Sequence, residues 1–447
     1  MADAEALPVT FEAQAAAPKM ILARSGIAEP HVEIAVHPKP DHTALLMVQH
    51  GNVVQWFFPV NAPRVVPRHV GLRALTADAV PQQPLRFVVP ASVLHPIAPA
   101  QNTKALSFSV GSIVSRIVHV PIIRDLLDAP IRWIVQFLAE KVEAKEKREG
   151  FKLFDDAGQF PLLTDQQIAD MAKDGKRVLF LTHGIFSSIG GAFSDLLNTP
   201  ALAKLRQTYA DRIIGWDHFT VSKTPLENAD EMLTKMAPAM NVDFICHSRG
   251  ALVMRAALEH PSLITKSSTR FLDRSVGSAM FVAGANQGSQ LASFTHLNTL
   301  LNVYSAIGSI LPGIALKVIV GVLRVLAHGV TTLPSVEALS SDASNEFVNA
   351  LNGAPRMSLK GRLAVAHANF DPKGSILGAI ANLNIDTIFG TANDLVVPFA
   401  GAATFDPNVI ADQEKAFGSL MVPQSEVLHT NFFAQDPVRS FIADTFV

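Results

Sequence analysis

The second half of the chain alternates short apolar runs with helix-prone segments, and this alternation constrains the fold more than any other feature. From residue 176 onward, glycine-rich turns and helical patterns separate the runs RVLFLTHG, DRIIGWDHFT, VDFIC and SAMFVAGAN. Each run is typical of a strand that is buried on both faces. In TPLENADEMLTKM, Thr224 fits an N-cap, Pro225 a first helical residue and Glu227 a capping box. This order predicts an α/β fold, a mostly parallel sheet with helices on both faces.

The first part of the chain has a different pattern. Residues from about 32 to 110 carry the β-rich runs HVEIAV, HTALLMVQH, NVVQWFF and LRFVVP, with prolines between them. These runs predict a small antiparallel β domain, and the proline spacing favours edge strands and loops over a tight sandwich. A helical, charged segment follows. We therefore expect a β-rich N-terminal domain at residues 1–120, a helical linker at 121–175 and an α/β domain at 176–447.

Composition excludes several classes of protein. The net charge of −2 gives no basic footprint for nucleic acid, and the single cysteine rules out an internal disulfide. The N-terminal run MADAEALPVTFEAQ lacks the basic region and apolar core of a signal peptide. No His, Cys or Asp cluster has the spacing of a metal site. We expect a cytoplasmic protein with no nucleic-acid partner, no metal and no organic cofactor.

The longest apolar stretch, residues 297–330, is the nearest to a membrane span. Gly308 and the pair Pro312 and Gly313 interrupt it, and basic residues divide its second half. This pattern indicates two apolar helices, which must cover something because they are apolar nearly all round. We predict a lid at residues 292–345 over an acyl-binding pocket, with hinges at the interruptions. A plain core helix pair and a membrane-surface anchor remain the alternatives.

One serine lies at a sharp strand-to-helix junction. In DFICHSRGALV, Ser248 follows an apolar strand and precedes a helix, which is the position of a nucleophile elbow. Gly250 is the small residue required two positions later, whereas Cys246 replaces the usual glycine two positions earlier. An N-cap serine is the alternative interpretation. Cys246 lies in the strand, and we interpret it as a small buried residue. The side chain of His247 diverges from that of Ser248. Neither residue is therefore the favoured catalytic group.

A serine nucleophile needs a base, and the base needs an orienting acid. In this architecture the chain order is serine, then aspartate or glutamate, then histidine. Asp394 occupies a turn in NIDTIFGTANDLVVP, after an expected apolar strand, and Asp386 in the same run is the weaker candidate. His429 precedes a terminal helix in SEVLHTNFFAQDPVRSFI. These residues predict a triad of Ser248, Asp394 and His429.

An oxyanion hole would complete this site. The run LTHGIFSS ends the first strand of the α/β region, and the backbone N–H of Ile185 could point over the serine. The N–H of Arg249 would be its partner. Two fixed donors would stabilise the charge of a tetrahedral intermediate.

Several segments carry a family resemblance: GWDHFTVSKTPLENA, CHSRGALVMRA, ANQGSQLA, LPSVEALSSDASNEFVNALN and NDLVVP. From about residue 176 the chain resembles the α/β-hydrolase superfamily on its lipase-like side. More narrowly, it resembles a bacterial hydrolase group sometimes fused to CHAT proteases and related to triacylglycerol lipases and GPI inositol-deacylase-like enzymes. Trp216, Asp217 and His218 match a block of that group, and we interpret them as structural.

The resemblance implies an α/β-hydrolase fold and a serine hydrolase that cleaves carboxylic esters through an acyl-enzyme. The expected substrate is a small ester or lipid with a hydrophobic acyl chain, and a transient contact with a lipid interface would follow from the lid. Two other hypotheses stay open. One is a catalytically silent binding or scaffold protein with an unidentified partner for the N-terminal domain, and the other is a membrane-surface protein anchored by residues 297–330.

Overall fold

The fold is taken from a computed structural model of the chain. The structure describes residues 19–22, 28–37, 42–50, 53–61, 84–90, 93, 114–121, 139–141, 143–144, 149–237, 240–259, 276–293, 295–310, 319, 322, 333–353, 359–370, 385–405, 411–417 and 426–447.

The N-terminal part forms two three-stranded antiparallel sheets, with strand orders β1-β2-β5 and β4-β3-β6. The strands are β1 Lys19–Leu22, β2 Ala28–Val36, β3 His42–His50, β4 Val53–Phe57, β5 Leu85–Pro90 and β6 Val114–Pro121. The two sheets share one buried cluster, to which β3 contributes Leu46, β5 contributes Phe87 and β6 contributes Ile117. The β-rich prediction is confirmed. The two sheets pack as a sandwich, contrary to the expectation from proline spacing, because alternate residues of β3 and β5 are buried between them.

A mixed sheet of seven strands forms the centre of the second part, in the order β13-β12-β11-β10-β8-β9-β7. Its strands are β7 Gly150–Leu153, β8 Arg177–Thr182, β9 Ile213–Asp217, β10 Asn241–His247, β11 Val276–Val282, β12 Leu363–Ala368 and β13 Gln413–Phe417. All neighbours pair in parallel except β7 with β9. Alternate residues of β8 face two separate cores, Phe180 one and Leu179 the other. The predicted mostly parallel sheet is confirmed.

The helices described around these sheets include one whose start the sequence predicts in detail. They are α1 Asp165–Lys173, α2 Ile189–Phe193, α3 Pro200–Tyr209, α4 Pro225–Lys235, α5 Gly250–Glu259, α6 Leu297–Ile310, α7 Pro334–Glu337, α8 Glu346–Asn352, α9 Ile385–Phe389, α10 Phe399–Ala403 and α11 Asp436–Phe446. In α4 the Thr224 side chain accepts from the Glu227 N–H, and the Glu227 carboxylate accepts from the Thr224 N–H at 2.7 Å. Pro225 is the first helical residue, as predicted.

The segment predicted as a helical linker, residues 121–175, contains a strand of the main sheet. Strand β7 pairs antiparallel with β9 at the sheet edge, and Phe151 lies opposite Trp216 with ring centroids 4.9 Å apart. The sheet therefore begins before residue 176. A strand of four residues is too short to show an alternating pattern, which explains why the sequence did not reveal it.

Helix α6 is the longest described element of the predicted lid, and its central part is enclosed. Every side chain from Leu300 through Ile307 is buried. On one side the helix packs against β4, where the Asn302 side chain hydrogen-bonds the backbone of Trp56. Gly308, a predicted hinge, lies inside α6 and does not interrupt it. Residues 311–318, which include the second predicted hinge, lie outside the described residues.

Among the residues that the structure describes, no helix has both the length and the apolar character needed to cross a membrane.

Candidate active site

Ser248 lies between the end of β10 and the start of α5 in a strained backbone conformation. Its φ is +56°, a left-handed value that costs a residue with a side chain about 1–2 kcal/mol. The Ser248 N–H donates to the Val282 carbonyl at 3.0 Å, which helps to hold the turn. A Cβ at Gly250 would lie 2.5 Å from the carbonyl oxygen of Thr182, so only glycine fits where α5 meets β8. This is the geometry of a nucleophile elbow.

Ser248, His429 and Asp394 form one hydrogen-bonded chain. His429 Nε2 lies 2.7 Å from Ser248 Oγ, and His429 Nδ1 lies 2.8 Å from Asp394 Oδ2. All three side chains are buried. The second carboxylate oxygen, Asp394 Oδ1, accepts the N–H groups of Val396 at 3.0 Å and Val397 at 2.7 Å. Because the carboxylate accepts the Nδ1–H, Nε2 is left to accept the serine proton.

Asp386, the weaker candidate, does not reach the histidine. Residues 385–389 form helix α9 where the sequence predicted a strand, and the Asp386 carboxylate is exposed and accepts from the Asn393 side chain at 3.2 Å. Ile385 and Phe389 are both buried, and a spacing of four residues places them on one helical face. A short apolar run of this kind fits either element, so the strand prediction was wrong.

The loop after β8 lies directly against the serine. A Cβ at Gly184 would lie 2.6 Å from Ser248 Cβ and 2.9 Å from its Oγ. Two residues after Gly184, the backbone N–H of Phe186 donates to the Thr220 hydroxyl at 3.1 Å. Within the described residues, no hydrogen bond takes the backbone N–H of Ile185 or of Arg249. Arg249 also precedes the N-terminus of α5, where the helix dipole favours negative charge.

A layer of buried polar groups supports this loop from behind. The His183 ring stacks on His218 at 4.1 Å, and its Nδ1–H donates to the Gly184 carbonyl at 2.9 Å. Asp217 accepts the N–H of Ile189 at 2.6 Å. Asp217 and His218, two residues of the block that we interpret as structural, therefore contact the segment around Ile185, which carries one of the two predicted oxyanion donors.

A buried carboxylate that sequence reasoning missed holds the loop after β9. Glu143 accepts the N–H groups of Thr220 at 2.5 Å, Val221 at 3.1 Å and Ser222 at 2.9 Å. It also accepts the hydroxyls of Thr220 at 3.1 Å and Ser222 at 2.7 Å. Since the Thr220 hydroxyl accepts from Phe186, Glu143 is connected to the loop over the serine. Its sequence context, AEKVEAKEKREG, is typical of a solvated helix end and gave no signal.

A small cavity of about 170 Å³ opens beside Ser248. Ile185, Phe186 and Tyr304 give it apolar walls, and serine, aspartate and asparagine residues also line it. An apolar cavity of about 150 Å³ is known to hold one benzene molecule. The space available is therefore comparable to that of one small molecule.

His247 and Cys246 lie next to the serine without competing for its role. His247 Nε2–H donates to the His429 carbonyl at 2.8 Å, and burial lowers the pKa of His247 to about 3, which leaves the ring neutral. Burial also disfavours the charged form of Cys246, so it raises the pKa of this thiol, which is enclosed in β10. Within the described residues, no group of three or more His, Cys, Asp or Glu side chains could hold a metal ion.

The fold defines an α/β protein with a mixed, helix-covered sheet. The chain belongs to the family described as "Domain of unknown function (DUF7379)", which matches residues 143–447. None of the curated proteins compared with the chain matches it.

Solved structures that resemble the chain include lipases and esterases. The mature lipase BlEst2 of Bacillus licheniformis is 16% identical, with a TM-score of 0.34, over 56% of this chain and 88% of its own. Lipase 1 of Pelosinus fermentans is 10% identical, with a TM-score of 0.41, over 60% and 97%. A metagenomic carboxyl esterase is 18% identical, with a TM-score of 0.33, over 70% and 91%. These values are too low to carry an activity from those enzymes to this chain.

Proposed function

We propose that this protein is a serine hydrolase of the α/β-hydrolase fold, which cleaves carboxylic esters through an acyl-enzyme. The observation that carries the proposal is the hydrogen-bonded chain from Ser248 Oγ to His429 Nε2 at 2.7 Å and from His429 Nδ1 to Asp394 at 2.8 Å. The serine at its end sits at a positive φ in a strand–turn–helix junction. Such a set of contacts is the working part of this mechanism.

In the first half of the reaction, Ser248 Oγ attacks the ester carbonyl carbon as its proton passes to His429 Nε2. The tetrahedral intermediate collapses, the bond to the alcohol oxygen breaks, and His429 gives the proton to the departing alcohol. Water then adds to the acyl carbon with His429 as base, the bond to Ser248 Oγ breaks, and the serine regains its proton as the carboxylic acid leaves. Asp394 holds the imidazole in the required tautomer throughout.

The backbone N–H groups of Ile185 and Arg249 are the proposed oxyanion donors. The close approach of Gly184 to Ser248 supports this assignment, because it brings the following N–H to the nucleophile. Removal of one such donor in other serine hydrolases costs about 100- to 1,000-fold in turnover. The network through Thr220 and Glu143 would keep this loop in place.

The proposed substrates are esters with short acyl groups. The sequence predicted a hydrophobic acyl chain beneath a mobile lid. A cavity of about 170 Å³ and the burial of every side chain from Leu300 through Ile307 favour a shorter chain. The closer kinship with CHAT-linked hydrolases, triacylglycerol lipases and GPI inositol-deacylase-like enzymes stays a prediction.

The decisive experiment compares p-nitrophenyl butyrate hydrolysis and fluorophosphonate labelling in wild type and variants. Ser248→Ala and His429→Ala should each lower kcat at least about 1,000-fold, and Asp394→Asn somewhat less, because the three groups act as a unit. Asp386→Asn is the matched control for the acid and should keep wild-type activity. Full activity in folded Ser248→Ala would contradict the proposal. An unlabelled, inactive but folded wild type would favour the binding or scaffold alternative.

A further inference from the structure

One of the chain's two tyrosines lies at the nucleophile, on helix α6. The Tyr304 side chain is buried and lines the cavity beside Ser248. Its ring meets the His429 ring edge-on, with centroids 6.3 Å apart and planes at 90°, and packs against Phe186 at 5.1 Å. The Tyr304 hydroxyl and the Ser248 side chain line the same small cavity and are close enough to interact.

The rest of the site fixes the direction that a hydrogen bond between these two hydroxyls would take. The Ser248 proton points to His429 Nε2, because the Nδ1–H of that ring is given to Asp394. In such a bond the phenol is therefore the donor and Ser248 Oγ the acceptor. Burial raises the pKa of Tyr304, so the phenol keeps its proton at any pH at which the site would work.

The N-terminal sandwich holds the helix that carries this tyrosine. Asn302 precedes Tyr304 by two residues, and a separation of about 200° places the two side chains on nearly opposite faces of the helix. The Asn302 amide accepts the Trp56 N–H at 2.8 Å and donates to the Trp56 carbonyl at 3.3 Å. Both residues are buried, and Trp56 belongs to the same apolar cluster as the neighbouring side chains of α6.

We propose that Tyr304 is a further catalytic residue, a hydrogen-bond donor to the nucleophile oxygen, and that the N-terminal sandwich positions it through Asn302. The proposal rests on the proposed function. Negative charge develops on Ser248 Oγ as its proton leaves for His429, and again when the acyl–oxygen bond breaks in deacylation. A fixed phenol O–H beside that oxygen stabilises the charge at both moments. Asn302 touches no reacting atom and is a positioning residue.

The first test uses the two tyrosines as a matched pair. Tyr304→Phe removes one hydroxyl and should lower kcat for p-nitrophenyl butyrate about 10- to 100-fold. KM should change much less, because the proposed hydrogen bond strengthens only as negative charge develops on Ser248 Oγ. Tyr209 is also buried, but its hydroxyl donates to Asp243 at 2.7 Å. Asp243 lies five residues before the nucleophile, roughly 16 Å back along the strand. Tyr209→Phe should therefore keep kcat and lower only the melting temperature.

The second test asks whether Asn302 acts through Tyr304. Asn302→Leu keeps the size of the side chain and removes both hydrogen bonds to Trp56, so it should lower kcat by a similar factor. In the double variant with Tyr304→Phe, no further loss is expected, since coupled residues are not additive. If Asn302→Leu does not fold, Asn302→Asp keeps the acceptor and loses the donor, and it serves the same comparison.

The outcomes separate this inference from the proposed function. Wild-type kcat in Tyr304→Phe, in an enzyme that fluorophosphonate labels at Ser248, would overturn the inference and leave the hydrolase proposal intact. Independent, multiplicative losses from Asn302→Leu and Tyr304→Phe would overturn the positioning role of the sandwich. A folded wild type that is neither labelled nor active would overturn both proposals together.

Discussion

Replacing Gly184 by alanine tests how closely the loop after β8 approaches the nucleophile. The new Cβ would lie 2.6 Å from Ser248 Cβ, about 0.8 Å short of the 3.4 Å at which ordinary contact begins. The loop or the serine must move by a comparable distance. A misplacement of about 1 Å at a reacting centre can cost about 100-fold in rate, whereas the packing strain costs about 1–3 kcal/mol of stability. We expect Gly184→Ala to lower kcat/KM for p-nitrophenyl butyrate about 100-fold in a protein that still folds.

Gly353→Ala is the matched control for this substitution. Gly353 has φ −96°, and an added Cβ would lie 3.4 Å from its nearest neighbour, the Asn349 carbonyl oxygen. The Gly353→Ala variant should be as active as wild type. Activity measured together with urea denaturation separates a displaced site from a destabilised protein. Activity of Gly184→Ala within fivefold of wild type, or an equal loss in Gly353→Ala, would refute the reasoning.

Four further predictions follow from contacts near the site. Cys246→Ala should keep activity within about threefold, and thiol reagents should leave the native enzyme active, because the buried thiol stays protonated. Glu143→Gln should lower the free energy of unfolding in urea by about 2 kcal/mol or more, since buried donors lose their charged acceptor, whereas the exposed Glu140→Gln should not. The pKa of His247 is lowered to about 3 in the folded state, against an ordinary value of 6.5, so the unfolded chain takes up the proton first as the pH falls. The free energy of unfolding should therefore decrease as the pH drops from 6.5 towards 3, and it should decrease less steeply in His247→Gln. Butyryl esters should be cleaved at least about tenfold faster than palmitoyl esters, with no activation by micelles, because the cavity is short; the reverse preference would restore the lid.

Sequence reasoning succeeded where the physics is local. The capping box of Thr224 and Glu227 depends on residues three apart, and both of its hydrogen bonds are present. The strand–turn–helix around Ser248 is likewise specified by neighbouring residues, namely an apolar run, then small residues, then a helical pattern. The order of serine, aspartate and histidine along the chain, together with the turn position of Asp394, selected three side chains that the fold brings within hydrogen-bonding distance.

Long-range contacts explain what the sequence could not reveal. Glu143 accepts hydrogen bonds from residues about 80 positions away, and Tyr304 lines the same cavity as a serine 56 positions before it, so no spacing rule marks either residue. Gly308 looked like a hinge because glycine costs a helix interior about 1 kcal/mol, yet the packing of α6 outweighs that preference. Local pattern thus selects the residues that we propose as reacting groups, whereas tertiary contacts determine what holds them.

The hydrogen bonds between Asn302 and Trp56 also bear on aggregation. Strand β4 is an edge of its sheet, and an exposed edge offers free N–H and carbonyl groups to any passing chain. A single side-chain amide occupies both backbone groups of Trp56, as a neighbouring strand would. Helix α6 therefore caps the edge of the sandwich, while the sandwich shields the apolar back of α6 from water. Local opening between them would expose the unpaired edge of β4 and the apolar face of α6 at the same time. The two parts therefore protect each other from self-association.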